Sequence, residues 1–246
     1  APDQQAKTRI LPYSQQAIEE CVHLLREGKL VAIPTETVYG LAANATDALA
    51  CKSIFECKGR PLTDPLIVHV HSQEQALSLI DHDLNHPSLI EIFKALTSAF
   101  WPGALTVIMR ANLDLIPSLV TAETGFVGLR MPNSKIALEL LKVSGLPLAA
   151  PSANKFGHVS PSKAEHVYAD FHKDSEVAIL DGGSCGFGIE STVLKLNFDP
   201  LTSQLDMQVL RRGGVSEKGL LDLLISHDFI IKSKIKVTVT SKQHND

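Results

Sequence analysis

The sequence predicts an α/β protein. Apolar runs of strand length alternate with segments of helical periodicity along the chain. Polar, Gly/Pro-rich turns follow the strands: PTETVYG, WPG, RMPN, PSANKFG, DGGSCGFG and RRGG. No internal repeat or low-complexity linker divides the chain, so one domain is expected.

Taken in order, Leu30–Ile33 reads as a buried strand halted by Pro34. Ala50, Ile54 and Cys57 share one helical face over Ala48–Lys58, and Gly59 is placed to end that helix. Pro65–Val70 is the next strand. Ser72 and Gln75 form a capping box for the helix that follows. Leu89, Ile92, Phe93 and Leu96 mark another helical face. Leu105–Met109 and Val127–Leu129 read as strands, Ser134–Ser144 as a helix ended by Gly145, and Pro147–Ala150 as a short strand entering the loop Pro151–Pro161. Ser162 and Glu165 form a second capping box. Val177–Leu180, Thr192–Leu196 and Met207–Leu210 complete the strands.

Of the 246 residues, 44% are hydrophobic and 20% charged, as in a folded, water-soluble protein. The net charge of −4 argues against coating nucleic acid by bulk charge, while leaving room for a local basic cavity. No apolar run reaches the roughly 20 residues that span a bilayer, and the N-terminus has no signal-peptide core. Cys21, Cys51, Cys57 and Cys185 form no C-x-x-C pair, which points to reduced thiols and a cytoplasmic location.

P-loop, nucleophile-elbow and zincin motifs are all missing. Cys185 has no partner histidine in sequence and is not expected to be a nucleophile. His69 and His71 alternate on a strand, but without a third ligand the expectation is one histidine hydrogen-bonded in a cavity or core, and no metal held by protein side chains. Cations gather at the turns: Lys58 and Arg60 at an exposed helix end, Arg130 and Arg211 at strand ends, and Lys155 in a loop. Thr35, Thr37, Ser152, Asn154, Ser191 and Thr192 lie beside them. Hydroxyls, amides and cations so arranged suit a phosphate- or nucleotide-binding cavity.

Seven motifs carry a family resemblance: PTETVYGLAANA (Pro34–Ala45), KGRPLTDPLIVHV (Lys58–Val70), FWPGALTVIM (Phe100–Met109), VGLRMPN (Val127–Asn133), APSANKFGHVSPS (Ala150–Ser162), DGG…GIESTV (Asp181–Val193) and VLRRGG (Val209–Gly214). In this order and spacing, from about Ala17 to Leu224, they resemble the YrdC-type threonylcarbamoyl-AMP synthases. The resemblance implies an open twisted mixed sheet curled around a deep, positively lined cavity. It also implies synthesis of threonylcarbamoyl-AMP and pyrophosphate from L-threonine, bicarbonate and ATP, with Mg²⁺ on the phosphates, for a downstream tRNA threonylcarbamoyl transferase. Lys58 and Arg60 would be catalytic and hold ATP phosphates, joined at the nucleotide by Ser152, Asn154, Ser160 and Arg211. Thr35, His69, Thr121, Arg130 and Ser191 would line the threonine pocket.

Three alternatives are an RNA-binding module using the same cavity without catalysis, a carbamoyl-transferring hydrogenase maturation factor, whose zinc-finger cysteines are missing here, and a divergent paralogue of unknown substrate, against which the intact KGR, PSAN and EST motifs count. Arg212 replaces the proline of an LRPG turn, so it is left out of the site. The resemblance is to the short form of the family, without the second C-terminal domain that helps close the cavity, so loops or the tail are expected to close it. Residues 1–16 are expected as an extension, 17–226 as the catalytic domain and 227–246 as a tail. Over Ile231–Thr240 apolar and polar residues alternate, predicting an edge strand with lysines on one face rather than a cover for the cavity.

Overall fold

The computed structural model describes residues 7–186, 188–227 and 236–241, the last six by backbone alone. In chain order the elements are β1 (Arg9–Pro12), α1 (Gln15–Arg26), β2 (Val31–Pro34), β3 (Tyr39–Asn44), α2 (Ala48–Lys58), β4 (Ile67–His69), α3 (Gln73–Ser78), α4 (Pro87–Phe100) and β5 (Leu105–Arg110). A 3₁₀ turn (Ser118–Thr121), β6 (Phe126–Arg130), α5 (Lys135–Ser144), β7 (Leu148–Ala149), α6 (Ala164–Phe171) and β8 (Ala178–Asp181) follow. The chain continues through β9 (Thr192–Asp199), β10 (Gln204–Arg211), α7 (Glu217–Ser226) and β11 (Lys236–Ser241). Among the described residues the strands form one mixed sheet in the order β1-β8-β2-β3-β7-β4-β6-β5-β9-β10-β11.

The two halves of this sheet are covered differently. In β2, β3 and β8, Val31, Ile33, Ala42, Ala178 and Leu180 pack with α1 and α5, while Ala32, Leu41, Ala43 and Ile179 belong to the larger core. Alternate residues of a strand face opposite sides, so this half is buried on both faces and reads as continuous apolar runs. In β4, β6, β5 and β9, Val68, Val127, Leu129, Leu105, Val107 and Leu194 enter the large core. The intervening residues Ile67, His69, Gly128, Arg130, Thr106, Ile108, Val193 and Lys195 face a cavity. That open face makes the site.

Several elements differ from the sequence expectation. Arg9–Pro12, assigned to an extension, pairs in parallel with β8. Tyr39–Asn44, of which Tyr39 and Gly40 fall in the expected turn PTETVYG, is β3, antiparallel to β2. Only half of the first capping box forms: Ser72 Oγ accepts from the Gln75 N–H at 3.0 Å, but the Gln75 side chain accepts from His71 N–H instead of reaching back to Ser72. The second box is absent. Lys163 caps α6 without a side-chain bond, because the Ser162 N–H turns to His166 Nδ1. In the tail, 231–235 lies outside the described residues, and β11 pairs in parallel with β10 at the end of the sheet order.

Helix α2 shows how local chemistry aims the site. Asp47 caps its start, accepting from the Leu49 and Ala50 N–H groups, and Gly59 ends it at φ 66°, in the left-handed conformation that favours glycine. Lys58 and Arg60 flank that glycine. Asp47→Ala is expected to lower unfolding free energy by about 1 kcal/mol in urea melts without abolishing ligand binding, since the far end of α2 is held separately.

Candidate functional site

The cavity has a volume of about 620 Å³, and its floor is the uncovered sheet face. Register places its side chains in cross-strand rows. One row runs Ile67–Gly128–Ile108–Lys195; the next holds His69 opposite Arg130, and Val193 opposite both Thr106 and Arg211. A bulge between Val209 and Arg211 breaks the alternation of β10, so the adjacent Leu210 and Arg211 both line the cavity. The walls come from the α2 terminus, the loop Ala150–Ser160 and the residues before β9.

Lys58, Arg60, Arg130, Lys195 and Arg211 line this space, against the carboxylates of Asp64 and Glu190. Lys58 is not at an exposed helix end as expected; it is 3% exposed. Its Nζ donates to the Ser152 carbonyl at 2.5 Å and also to the Asn154 carbonyl, while the Phe156 N–H returns a bond to Lys58 O. The lysine therefore ties the nucleotide-loop candidate to α2. Burial, reinforced by the charge of Arg60, pushes its amine down to about 8. Arg60 donates from Nη2 to Pro65 O at 2.8 Å, and burial lowers its guanidinium too.

Arg130 donates to Thr37 Oγ1 at 3.1 Å and Gly103 O at 3.3 Å, and pairs with the Glu36 carboxylate. Burial and then the nearby charge of Arg211 push it down to about 10, which leaves it cationic at neutral pH. Arg211 bonds Ser191 Oγ at 3.0 Å and pairs with Glu190 at 3.3 Å, and Ser160 donates to Glu190 at 3.4 Å. Ser191 also shares a 2.8 Å hydrogen bond with Thr106, a cavity residue that the sequence had not singled out. Its signal was a hydroxyl set between Leu105 and Val107, on the opposite face of an otherwise apolar strand.

Other expected residues are placed differently. Thr35 lines the cavity, but its hydroxyl donates to Val38 O at 2.6 Å and accepts from Thr37 and Val38 N–H, so it shapes the turn first. Thr121 does not line the cavity. It is fully buried at the end of the 3₁₀ turn, donating to Ser118 O and accepting from Gly125 N–H; Thr124 lines the wall there. Lys155 turns away to pair with Asp174. Cys185 is buried, which raises its thiol pKa and opposes thiolate chemistry. His71 is outside the cavity wall, whereas His69 is within it.

Three residues of the wall each hold a buried polar atom without a hydrogen-bond partner, Arg60 Nε, His69 Nδ1 and Asn154 Oδ1, while Arg130 Nη2 is met by the Glu36 carboxylate as an ion pair. Burial pushes His69 down to about 4, so its imidazole is neutral at physiological pH. Unpartnered polar groups are costly in a folded protein, and their convergence on one cavity marks a polar ligand site. Among the described residues no group of three or more His, Cys, Asp or Glu side chains could hold a metal ion. No helix among them is long and apolar enough to cross a membrane.

A family model described as "Telomere recombination" (Sua5/YciO/YrdC) matches residues 23–213. The chain belongs to this family. It is 47% identical over 203 residues to threonylcarbamoyl-AMP synthase of Bacillus subtilis (strain 168), covering 82% of this chain and 54% of that protein. The Pyrococcus abyssi (strain GE5 / Orsay) threonylcarbamoyl-AMP synthase is 46% identical over 191 residues, covering 78% of this chain and 52% of its own length. Among solved structures, P. abyssi Sua5 complexed with L-threonine matches with a TM-score of 0.79 and 39% identity, covering 94% of this chain and 63% of that one. E. coli YciO, at 20% identity and a TM-score of 0.71, shares the fold, with 87% of this chain and 99% of that one covered. The chain spans about half the length of the curated relatives it matches.

Gly213 holds Arg211 and Ser191 together. A Cβ there would lie 2.3 Å from Glu190 O and 2.4 Å from Ser191 C. Gly213→Ala is expected to cost about 1–3 kcal/mol in urea unfolding, from main-chain overlap; an unchanged midpoint would contradict this packing.

Proposed function

We propose that this chain makes threonylcarbamoyl-AMP from L-threonine, bicarbonate and ATP, releasing pyrophosphate, and supplies a tRNA threonylcarbamoyl transferase in the cytoplasm. The observation that carries the reading is that Arg60, His69 and Asn154, each holding a buried polar atom without a hydrogen-bond partner, line one cavity together with Lys58, Arg130 and Arg211. The relatives' name, threonylcarbamoyl-AMP synthase, supports it at 46–47% identity, as does the threonine complex of a similar structure.

In this reading the threonine amine captures CO₂ or bicarbonate to form a carbamate. A carbamate oxygen attacks the α-phosphorus of ATP, the P–O bond to the β-phosphate breaks, and pyrophosphate leaves. The nucleophile is already an anion, so the burden falls on positioning two anions and offsetting charge on the leaving group. Lys58, Arg60 and Arg211 would hold the phosphates, with Ser152, Asn154 and Ser160 fixing the nucleotide. Arg130 would grip the threonine carboxylate, neutral His69 would meet a polar group of threonine, and Ser191 and the Thr35 turn would close that end. Mg²⁺ would enter on the phosphates of ATP, offsetting their charge, because the cavity offers cations and hydroxyls rather than a carboxylate cluster.

Incubation with ATP, bicarbonate and single amino acids, followed by mass spectrometry for the carbamoyl adenylate and by pyrophosphate release, tests the reading. Threonine is expected to exceed valine by at least about tenfold, because valine leaves buried polar groups unpaired. Equal turnover of valine would exclude the threonine assignment, and RNA binding without threonine-dependent pyrophosphate release would support a binding module.

A second outcome concerns pH. Lys58, held near pKa 8, loses its charge as pH rises through that value in the ligand-free protein. ATP affinity is expected to be full below about pH 7 (about one unit under that pKa) and to weaken toward pH 9.5 (about one to two units above it), and the permanently charged Lys58→Arg should flatten this fall. A pH-independent Kd in the unsubstituted protein would show that Lys58 does not bear on the phosphates.

A further inference from the structure

The loop Ser152–Ser160 carries a second histidine on the cavity wall, His158, to which the proposed reaction gives no role. Local bonds fix its backbone. Its N–H donates to Lys155 O at 3.0 Å, and the Asn154 side-chain amide donates to His158 O at 3.0 Å. Gly157 turns the chain just before it at φ 83°. A Cβ there would meet nothing within 4 Å, so that glycine serves backbone direction rather than space.

The ring is held from another element. Asp170, near the end of α6, meets His158 Nδ1 with both carboxylate oxygens at 3.2 Å, and its Oδ2 also accepts the Lys155 N–H at 2.8 Å. A carboxylate can only accept, so Nδ1 carries the proton and Nε2 is the nitrogen left for a ligand. The histidine side chain is 59% exposed. Ion pairs so open to water add little to folding, so stability is a weak reason for this one.

The same loop holds the groups assigned to phosphates. Lys58 Nζ donates to Asn154 O, the Phe156 N–H donates to Lys58 O, and the charge of Asp170 acts on the Lys58 amine, secondary to burial. Two residues beyond His158, Ser160 donates to Glu190 at 3.4 Å, and Glu190 pairs with Arg211. His158 thus lies in sequence between the residue that anchors Lys58 and the one that joins the Arg211 pair.

We propose that His158, oriented by Asp170, is a further ligand-binding residue of this reaction, its Nε2–H meeting the β- and γ-phosphates of ATP and holding pyrophosphate as it leaves. This rests on the proposed function, in which ATP supplies those phosphates. When the bond from the α-phosphorus to its bridging oxygen breaks, the electron pair stays on that oxygen and the pyrophosphate gains negative charge. In its imidazolium form the ring keeps Nδ1–H on Asp170 and donates a charged hydrogen bond from Nε2, without giving up a proton. Asp170 touches no phosphate and is a positioning residue.

Isothermal titration of wild type, His158→Ala, His158→Gln, Asp170→Asn and the His158→Ala/Asp170→Asn double variant tests this, with inorganic pyrophosphate and, separately, AMP as ligands. AMP lacks the β- and γ-phosphates and reports whether the loop keeps its shape; thermal melts check folding. In His158→Ala, pyrophosphate is expected to weaken by roughly fivefold or more, with AMP unchanged. His158→Gln, which keeps an N–H near the place of Nε2, should lose less. Asp170→Asn should weaken pyrophosphate in the parent but add nothing in the double variant, because it acts through the ring. Equal loss of AMP and pyrophosphate in His158→Ala would overturn the inference, since the pair would then only shape the loop. Unchanged pyrophosphate affinity in that variant would overturn it too. Failure of wild type to bind ATP or pyrophosphate at all would remove the proposed function, and this inference with it.

Discussion

One constraint organises this molecule: successive side chains of a strand point to opposite faces, and in half of the sheet helices cover only one of them. In β2, β3 and β8 both faces are packed, and the residues are apolar without interruption. In β4, β5, β6 and β9 the same period of two sends Val68, Val107, Leu129 and Leu194 into the core and His69, Thr106, Arg130 and Val193 into a cavity. Stability and ligand contact are thereby written on alternate letters of the same strands. A one-residue slip in β6 or β9 would turn Arg130 or Lys195 into the core and Leu129 or Leu194 out of it.

The uncovered face then gathers charge that the fold alone does not neutralise. Lys58, Arg60 and Arg130 are all lowered in pKa chiefly by burial, and their charges act on one another or on Arg211. Such mutual repulsion costs folding energy, and a bound polyanion would offset it. Glu36 and Glu190 limit the cost in its absence, by pairing with Arg130 and Arg211. Lys58 meanwhile gives two of its three donors to the carbonyls of Ser152 and Asn154, so the helix end and the loop are one unit rather than two independent contacts.

Much of this was legible in the sequence, for identifiable reasons. Strands with long apolar runs, and helices ending in glycine such as Gly59 and Gly145, follow local rules and were expected. Strand β3 was hidden because Tyr39–Asn44 lies inside a motif that opens with turn-like residues, and β1 because four residues ending in proline carry little periodic signal. Lys58, Arg60, Ser152, Asn154 and Ser191 could be placed because motif resemblance supplied them. Thr121 was misplaced because its hydroxyl serves a turn, and a threonine that closes a turn looks in sequence like one that meets a ligand. Ile67 and Ile108 escaped notice because half-burial on a cavity floor cannot be told from core by residue type.

The central claim is that one sheet face, its bulged strand β10 and the α2–loop unit together form a single site for two ligands. Hydrogen exchange followed by mass spectrometry, with and without ATP plus threonine, tests this most directly. Slower exchange is predicted together in the segments around Lys58–Pro65, Ser152–Ser160 and Glu190–Thr192. Protection confined to one of these segments, or centred instead behind α2 around Ser53, Asp174 and Glu176, would contradict the account.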